Sequence, residues 1–186
     1  MRNKTLCSLM AAGLFAGVAG CGEQIAFPVP PVEEFTATLS GANEVPPVPT
    51  LATGTVQFAV AFDTILTFRV DVAGLDSTTA IRVYAGGAGA AATDTLVVLF
   101  SGVACRNAQN VAINATSPSC RLGYTGPISP NQFKASQLTR IPNSYGATPV
   151  ERFNALLALM RAGTAHVNIH NKANPTGHIR GQIQPL

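Results

Sequence analysis

The sequence predicts an all-β domain, a β-sandwich or Greek-key barrel with one or two short helices. Apolar and polar residues alternate strictly in several short segments, which is the pattern of half-buried strands. Seven or so strands at this spacing indicate a sandwich or barrel. The expected strands are residues 35–41, 54–62, 65–75, 78–86, 94–100, 163–171 and 177–184. Only Asp63 and Thr64 separate the second strand from the third, which predicts a tight hairpin.

Two helices are expected near the carboxyl-terminal third of the chain. In the first, Thr148 and Glu151 fit a capping box, Pro149 takes the first helical position and Gly163 ends the helix. Its apolar residues fall on one face: Phe153, Leu156, Leu157 and Met160. We expect this face to pack into the core.

The second helix is shorter and is expected over residues 129–138. Ser129 is its expected cap, with Gln132 three residues later. The preceding stretch, residues 101–128, is rich in Gly, Asn, Ser and Pro and is expected to be irregular loop.

The amino terminus predicts export and lipidation. Arg2 and Lys4 precede an uncharged stretch that is too short for a membrane span and is typical of a secretory signal peptide. The stretch ends in "VAGC", residues 18–21, which resembles the bacterial lipobox. In that family the cysteine, here Cys21, carries acyl chains such as palmitate and becomes the first mature residue. The alternative is an ordinary secretory signal with a chance cysteine.

The remaining cysteines fit an exported protein. Cys7 leaves with the signal peptide, so Cys105 and Cys120 form an even pair, which outside the cytoplasm is usually oxidised. A disulfide closing a loop of about 15 residues stabilises by about 3 kcal/mol in the chain-entropy model. A two-cysteine metal site is the alternative, but no histidine lies near the pair in sequence.

Chain length and net charge limit the domain organisation and the kinds of partner that we expect. We expect a signal peptide over residues 1–20, a proline-rich lipid-anchored tether over 21–34 and one β-domain over 35–186. The net charge of +3 falls to about +1 once Arg2 and Lys4 are removed. This near-neutral charge argues against nucleic acid as a partner.

Two long motifs carry a family resemblance. Residues 37–60, "ATLSGANEVPPVPTLATGTVQFAV", closely resemble the opening of the CHRD domain, named for repeats in the extracellular protein chordin. Residues 156–183, "LLALMRAGTAHVNIHNKANPTGHIRGQI", resemble its ending. The resemblance covers roughly residues 35–186, with a divergent middle. It implies an all-β extracellular domain; chordin itself binds growth factors.

One departure from the family bears on metal binding. The family's central strand commonly reads Ala-His-Ile-His, and a His-x-His strand also begins the metal site of copper-zinc superoxide dismutases. Here Arg82 and Tyr84 stand where those two histidines would be. Because arginine is always cationic, it would repel a metal ion. A metal site would instead need His170 with His178 and a ligand from elsewhere.

The terminal hairpin is expected to be architectural. His166, Asn168 and His170 share one face of a strand, which we expect to meet solvent or a groove. Asn171 and Asn174 are expected turn formers, and Gly177 is expected where the turn needs a positive φ. The structural motif comprises Asn168, His170, Asn174, Pro175, Gly177, Arg180 and Gly181. Arg180 should pair with a carboxylate or a backbone carbonyl.

These observations predict a non-enzymatic protein of the bacterial cell envelope, facing the periplasm or the cell surface. The sequence has no Gly-x-Ser-x-Gly, His-Glu-x-x-His or P-loop motif and no evident acid–base carboxylate pair. We expect no cofactor, a membrane contact through the lipid anchor, and an envelope or extracellular protein or glycan as partner. The alternative is a metal-dependent, dismutase-like β-sandwich protein.

Overall fold

One nine-stranded antiparallel sheet forms the domain. The computed structural model describes residues 33–103, 105, 109, 111, 112, 114 and 116–186. The expected signal peptide and nearly all of the expected tether lie outside these residues. The strands are β1 Glu34–Ser40, β2 Thr53–Ala61, β3 Ile65–Leu75, β4 Thr78–Ala85, β5 Thr95–Ser101, β6 Tyr124–Lys134, β7 Ala165–Asn171, β8 Ile179–Gln182 and β9 Gln184–Pro185. Within these residues, four helices accompany them: α1 Pro149–Arg161 and the 3-10 turns Gly41–Asn43, Ala135–Gln137 and Asn143–Tyr145.

The strands follow the order β5-β4-β7-β8-β1-β2-β3-β6, and β9 pairs with β1. Leu96 lies on β5 and Phe133 on β6, the two ends of this order. Both residues line the same cleft and belong to one core cluster. The sheet therefore curls around a single core, and the all-β prediction is confirmed. Among the described residues, no helix is long and apolar enough to span a bilayer.

The expected capping box starts α1. Thr148 Oγ1 accepts a hydrogen bond from the Glu151 backbone N–H at 3.2 Å, and Glu151 Oε2 accepts one from Thr148 N–H at 2.8 Å. The apolar face of the helix is buried as predicted, with Phe153 and Met160 fully inaccessible. Gly163 follows the helix with a φ of +62°.

The second predicted helix is wrong. Residues up to Lys134 belong to β6, and only Ala135–Gln137 forms a 3-10 turn. The cap interaction is shifted as well, because Gln137 Oε1 accepts its hydrogen bond from Lys134 N–H. Pairing with β3, which places Lys134 opposite Ile65 and buries Phe133, overrides the local helical pattern.

Two strand limits also differ from expectation. The stretch 101–128 is not all loop, because β6 begins at Tyr124. The link between β2 and β3 has three residues, since β2 already ends at Ala61. Phe62 and Asp63 in this link have φ values of +52° and +56°.

Candidate functional site

All seven residues of β7 are buried, including its four polar ones. His166 is fully inaccessible, and Asn168 and His170 are 4% and 5% exposed. The prediction that this face meets solvent or a groove is therefore wrong. Side chains and loops from distant parts of the sequence cover this face. We call the polar side chains of the face and of its cover the polar ladder: Glu44, Arg82, Tyr84, His166, Asn168, His170 and Arg180.

Tyr84 joins the two ends of the ladder. Its ring stacks on His166 at 5.7 Å between centroids and meets the edge of His170 at 5.8 Å. Its hydroxyl lies 3.0 Å from His170 Nε2 and accepts a hydrogen bond from Arg82 Nη1 at 3.2 Å. Arg82 and Tyr84, the two departures from the family pattern, thus bond to each other and to a ladder histidine.

The hydrogen bonds of His170 define its protonation. His170 Nδ1 lies 3.0 Å from the Pro175 carbonyl, which can only accept, so Nδ1 carries a proton. In the neutral ring Nε2 then accepts from the Tyr84 hydroxyl. Burial lowers the pKa of His170, and the nearby Arg82 charge lowers it further. Both nitrogens are therefore engaged within the fold.

Arg180 anchors a loop above His166. Its Nη1 donates to the Ala90 carbonyl at 2.7 Å and its Nη2 to the Gly87 carbonyl at 2.9 Å. Of the two predicted kinds of partner for Arg180, a carboxylate or a backbone carbonyl, the structure shows the carbonyl. His166 Nδ1 lies between the Gly86 carbonyl at 3.2 Å and Arg180 Nη2 at 3.3 Å. Burial lowers the pKa of His166 to about 4, so this ring is neutral.

Glu44 is the ladder residue that sequence reasoning did not single out. It follows the first 3-10 turn, is 6% exposed, and its Oε2 accepts a hydrogen bond from Asn168 Nδ2 at 3.1 Å. Burial raises the pKa of this carboxyl to about 7, although the Asn168 bond and the Arg180 charge oppose the rise. The sequence did contain a clue, because Glu44 is a lone charge within the family-like opening motif.

Two motif glycines are required by close packing. A Cβ on Gly177 would lie 2.6 Å from both Glu44 Oε2 and Asn168 Nδ2. The φ of Gly177 is +155°, so the predicted positive φ is confirmed, and backbone conformation and space both restrict this position. At Gly181 a Cβ would meet the Thr38 carbonyl of β1.

The β7–β8 turn gives His178 hydrogen-bond partners that differ from those of His170. Asn171 Oδ1 accepts from the backbone N–H of Asn174, whose side chain lies 3.1 Å from His178 Nδ1. His178 Nε2 is 3.4 Å from Thr50 Oγ1. The two candidate metal ligands thus contact different partners. Among the described residues, no group of three or more His, Cys, Asp or Glu could hold a metal ion.

The expected cysteine pair is joined. Cys105 and Cys120 form a disulfide with a Cα–Cα distance of 5.3 Å. Neighbouring residues attach this segment to the start of β4, since the Thr78 N–H donates to the Pro118 carbonyl at 3.1 Å. Cys21, the expected lipidation site, lies outside the described residues.

A cleft of about 460 Å³ opens beside the ladder between two loops. Arg180 and Glu44, both more than nine-tenths buried, contribute to its lining. The loops supply Ala42, Asn43, Val45, Pro47, Ala88 and Gly89. Hydrogen bonds from Asn168 to Glu44 and from Arg180 to the Gly87 and Ala90 carbonyls attach these loops to the ladder.

The family comparison agrees with the all-β fold. A family model described as the CHRD domain matches residues 35–183, so the chain belongs to the CHRD domain family. That membership supports a binding or structural role for the β-domain.

Other comparisons add little. A stretch of 59 residues is 39% identical to the small ribosomal subunit protein uS14 of Chlamydia caviae. This similarity covers 31% of the chain and spans 58% of the length of that protein. No solved structure matches the chain.

Proposed function

We propose that this protein is a lipid-anchored component of the bacterial cell envelope, whose CHRD domain acts as a non-enzymatic binding or structural module. The observation that carries the proposal is the polar ladder. Its Tyr84, His170 and Arg180 side chains bond to one another or to backbone carbonyls within the fold. Side chains whose polar atoms are hydrogen-bonded within the fold hold loops in place. The outer surface of the domain then remains available to partners.

The lipobox-like residues before Cys21 support the anchor, and the disulfide between Cys105 and Cys120 suits an oxidising compartment. Acyl chains would hold the mature protein at the membrane, facing the periplasm or the cell surface. Replacing Cys21→Ser should release the protein from membranes or block its processing. Cys7→Ser is the matched control, because this cysteine leaves with the signal peptide.

Membrane fractionation and intact mass test the anchor. The wild type and the Cys7→Ser variant should fractionate with membranes and carry the mass of acyl chains at the mature amino terminus. If the Cys21→Ser variant is processed and remains in the membrane fraction as before, the anchor proposal fails.

A broad concavity on the outer face of β2, β3 and β6 offers a surface for an envelope protein or glycan. Its volume is about 630 Å³. Gln57 and Arg69 face each other across β2 and β3, and Thr67 faces Gln132 across β3 and β6. Amide, hydroxyl and guanidinium groups in this arrangement can hydrogen-bond to polar partners.

Site-specific photo-crosslinking in intact cells tests this surface. A crosslinker at Gln57 should give discrete products with an envelope component, whereas one at Lys172, which is exposed on the β7–β8 turn, should give fewer. Equal product patterns from the two positions would remove this surface from the proposal.

A further inference from the structure

The described chain begins at the same end of the domain as the β2–β3 hairpin tip. The Glu33 carbonyl accepts a hydrogen bond from Val60 N–H at 2.8 Å, two residues before Phe62. Leu186 lies at this end too, since its N–H donates to the Glu34 carbonyl at 3.0 Å. A chain coming from Cys21 therefore enters the domain beside the hairpin tip.

The exposure and the backbone conformation of Phe62 are unusual for a phenylalanine that serves only the fold. Its side chain is 88% exposed, whereas Phe35, Phe58 and Phe153 are at most 2% exposed. Its φ of +52° lies in the left-handed region, where glycine, asparagine or aspartate is favoured. The turn is held by Thr64 Oγ1, which donates to the Phe62 carbonyl at 3.1 Å, so the ring itself contributes no bond to it.

The spacing between the anchor and the domain keeps this end near the bilayer. Cys21 and Glu33 are twelve positions apart. Even a fully extended chain of this length spans only about 40 Å, and a flexible one averages about 20 Å. Tethering of this kind raises the local concentration of the domain at the membrane, so a weak contact is enough to orient it.

We propose that Phe62 inserts into the lipid surface to which the chain is anchored, so that the β2–β3 hairpin end of the domain faces the bilayer. This inference rests on the proposed lipid anchor at Cys21. The exposed Leu186, 73% accessible, adds a second apolar side chain at the same end. An aromatic ring and an aliphatic side chain are suited to the boundary between headgroups and acyl chains.

The charges at this end indicate a shallow, apolar contact rather than an electrostatic one. Asp63 and Glu34 are exposed acids, and Lys134 is an exposed base. Arg161 is paired with Glu33 at 2.6 Å. Since both signs are present, binding should not require anionic lipid. Asp63, next to Phe62, should keep the ring at headgroup depth because burying its charge in hydrocarbon is costly.

The chain has no tryptophan, so single tryptophan reporters can test the orientation. Phe62→Trp places one at the hairpin tip. Leu51→Trp is the matched control, because Leu51 is 99% exposed and precedes the opposite end of β2. The nine residues of β2 separate the two sites by about 30 Å. Each full-length lipoprotein would be reconstituted into phosphatidylcholine vesicles, with and without lipid brominated near the glycerol end of its acyl chains.

Flotation of the vesicles reports the anchor, and fluorescence reports the orientation. We expect both variants to float. The emission of the Phe62→Trp variant should shift to shorter wavelength and be quenched by brominated lipid, while that of Leu51→Trp should stay unshifted and largely unquenched. A third reporter, Leu186→Trp, should be quenched as well, and less so when combined with Phe62→Asn.

The outcomes separate the two proposals. If the proteins do not float, the lipid anchor and this inference are both wrong. If they float but position 62 is quenched no more than position 51, the orientation alone is wrong. The orientation is also wrong if Phe62→Asn leaves quenching at position 186 unchanged.

Discussion

Asn168 Nδ2 donates a hydrogen bond to Glu44 Oε2 at 3.1 Å, and both side chains are more than nine-tenths buried. Asn168 lies on β7, and Glu44 lies 124 positions earlier in the chain. The bond therefore ties the loop after β1 to β7, an inner strand of the sheet. Because burial raises the pKa of Glu44 to about 7, this tie depends on pH in the physiological range.

The first prediction concerns that pH dependence. The pKa of Glu44 rises from 4.5 to about 7 on folding, so the folded state keeps a proton that the unfolded state loses between these values. The contribution of Glu44 to stability is thus fully present below about pH 4.5 and is lost as the pH rises through about 7. At 1.36 kcal/mol per pKa unit, the loss is about 3 kcal/mol.

Denaturant unfolding of the wild type and Glu44→Gln over this pH range measures the effect. The difference between their unfolding free energies should fall with pH and become flat above about pH 7. Taking the difference between the two proteins is necessary because the pKa values of His166, His170 and His178 are lowered in the fold. Their contribution makes the unfolding free energy rise with pH at acidic pH, opposite to that of Glu44. A difference that is constant with pH would show that Glu44 has an ordinary pKa.

The sequence predicted the fold well because local alternation carries that information. The strands containing Phe35, Phe58 and Phe68 were identifiable from period two alone, and the capping box marked the start of α1. The helix expected at 129–138 was wrong because pairing with β3 is a long-range effect, invisible in a local pattern.

The candidate site was harder to predict for a related reason. Alternation shows that His166, Asn168 and His170 share a face, but not what covers that face. The cover comes from Glu44, Tyr84 and the loop at residues 86–90, which are 76 or more positions away in sequence. Only the folded chain shows that these groups meet.

The second prediction tests the space at Gly177. A Cβ there would lie 2.6 Å from Glu44 Oε2 and Asn168 Nδ2, so Gly177→Ala must displace the buried pair. Overpacking of this kind costs about 1–3 kcal/mol, to which lost hydrogen bonding adds. Gly89→Ala is the control, since its φ of +71° brings strain but no atom lies within 4 Å.

Thermal melts of these variants, together with Glu44→Ala and the Glu44→Ala/Gly177→Ala double variant, decide the cause. If contact with Glu44 is responsible, the cost of Gly177→Ala should be smaller in the Glu44→Ala background. Strictly additive effects would instead assign the cost to the contact with Asn168 or to backbone strain.

The third prediction concerns the Tyr84 hydroxyl. Tyr84→Phe keeps the ring contacts with His166 and His170 but removes the group that joins Arg82 to His170 Nε2. A buried acceptor left without a donor costs about 1–3 kcal/mol. Tyr145→Phe removes a comparable hydroxyl bond, to Asp94 Oδ2 at 2.8 Å, but Asp94 is only half-buried whereas His170 is buried. In chemical denaturation the Tyr84 variant should lose more stability than the Tyr145 variant, and the reverse order would contradict the role given to the ladder.

The last prediction concerns the disulfide between Cys105 and Cys120. The bond closes a loop with a sequence separation of 15. Replacing both cysteines by serine should lower the unfolding free energy by about 3 kcal/mol, mainly by freeing the unfolded chain. The far-ultraviolet circular dichroism of the folded variant should remain that of a β-protein, because the core cluster contains neither cysteine. Reductant should lower the melting temperature of exported wild-type protein and leave that of the double-serine variant unchanged. Free thiols at both positions in natively exported protein, detected by alkylation and intact mass, would contradict the prediction.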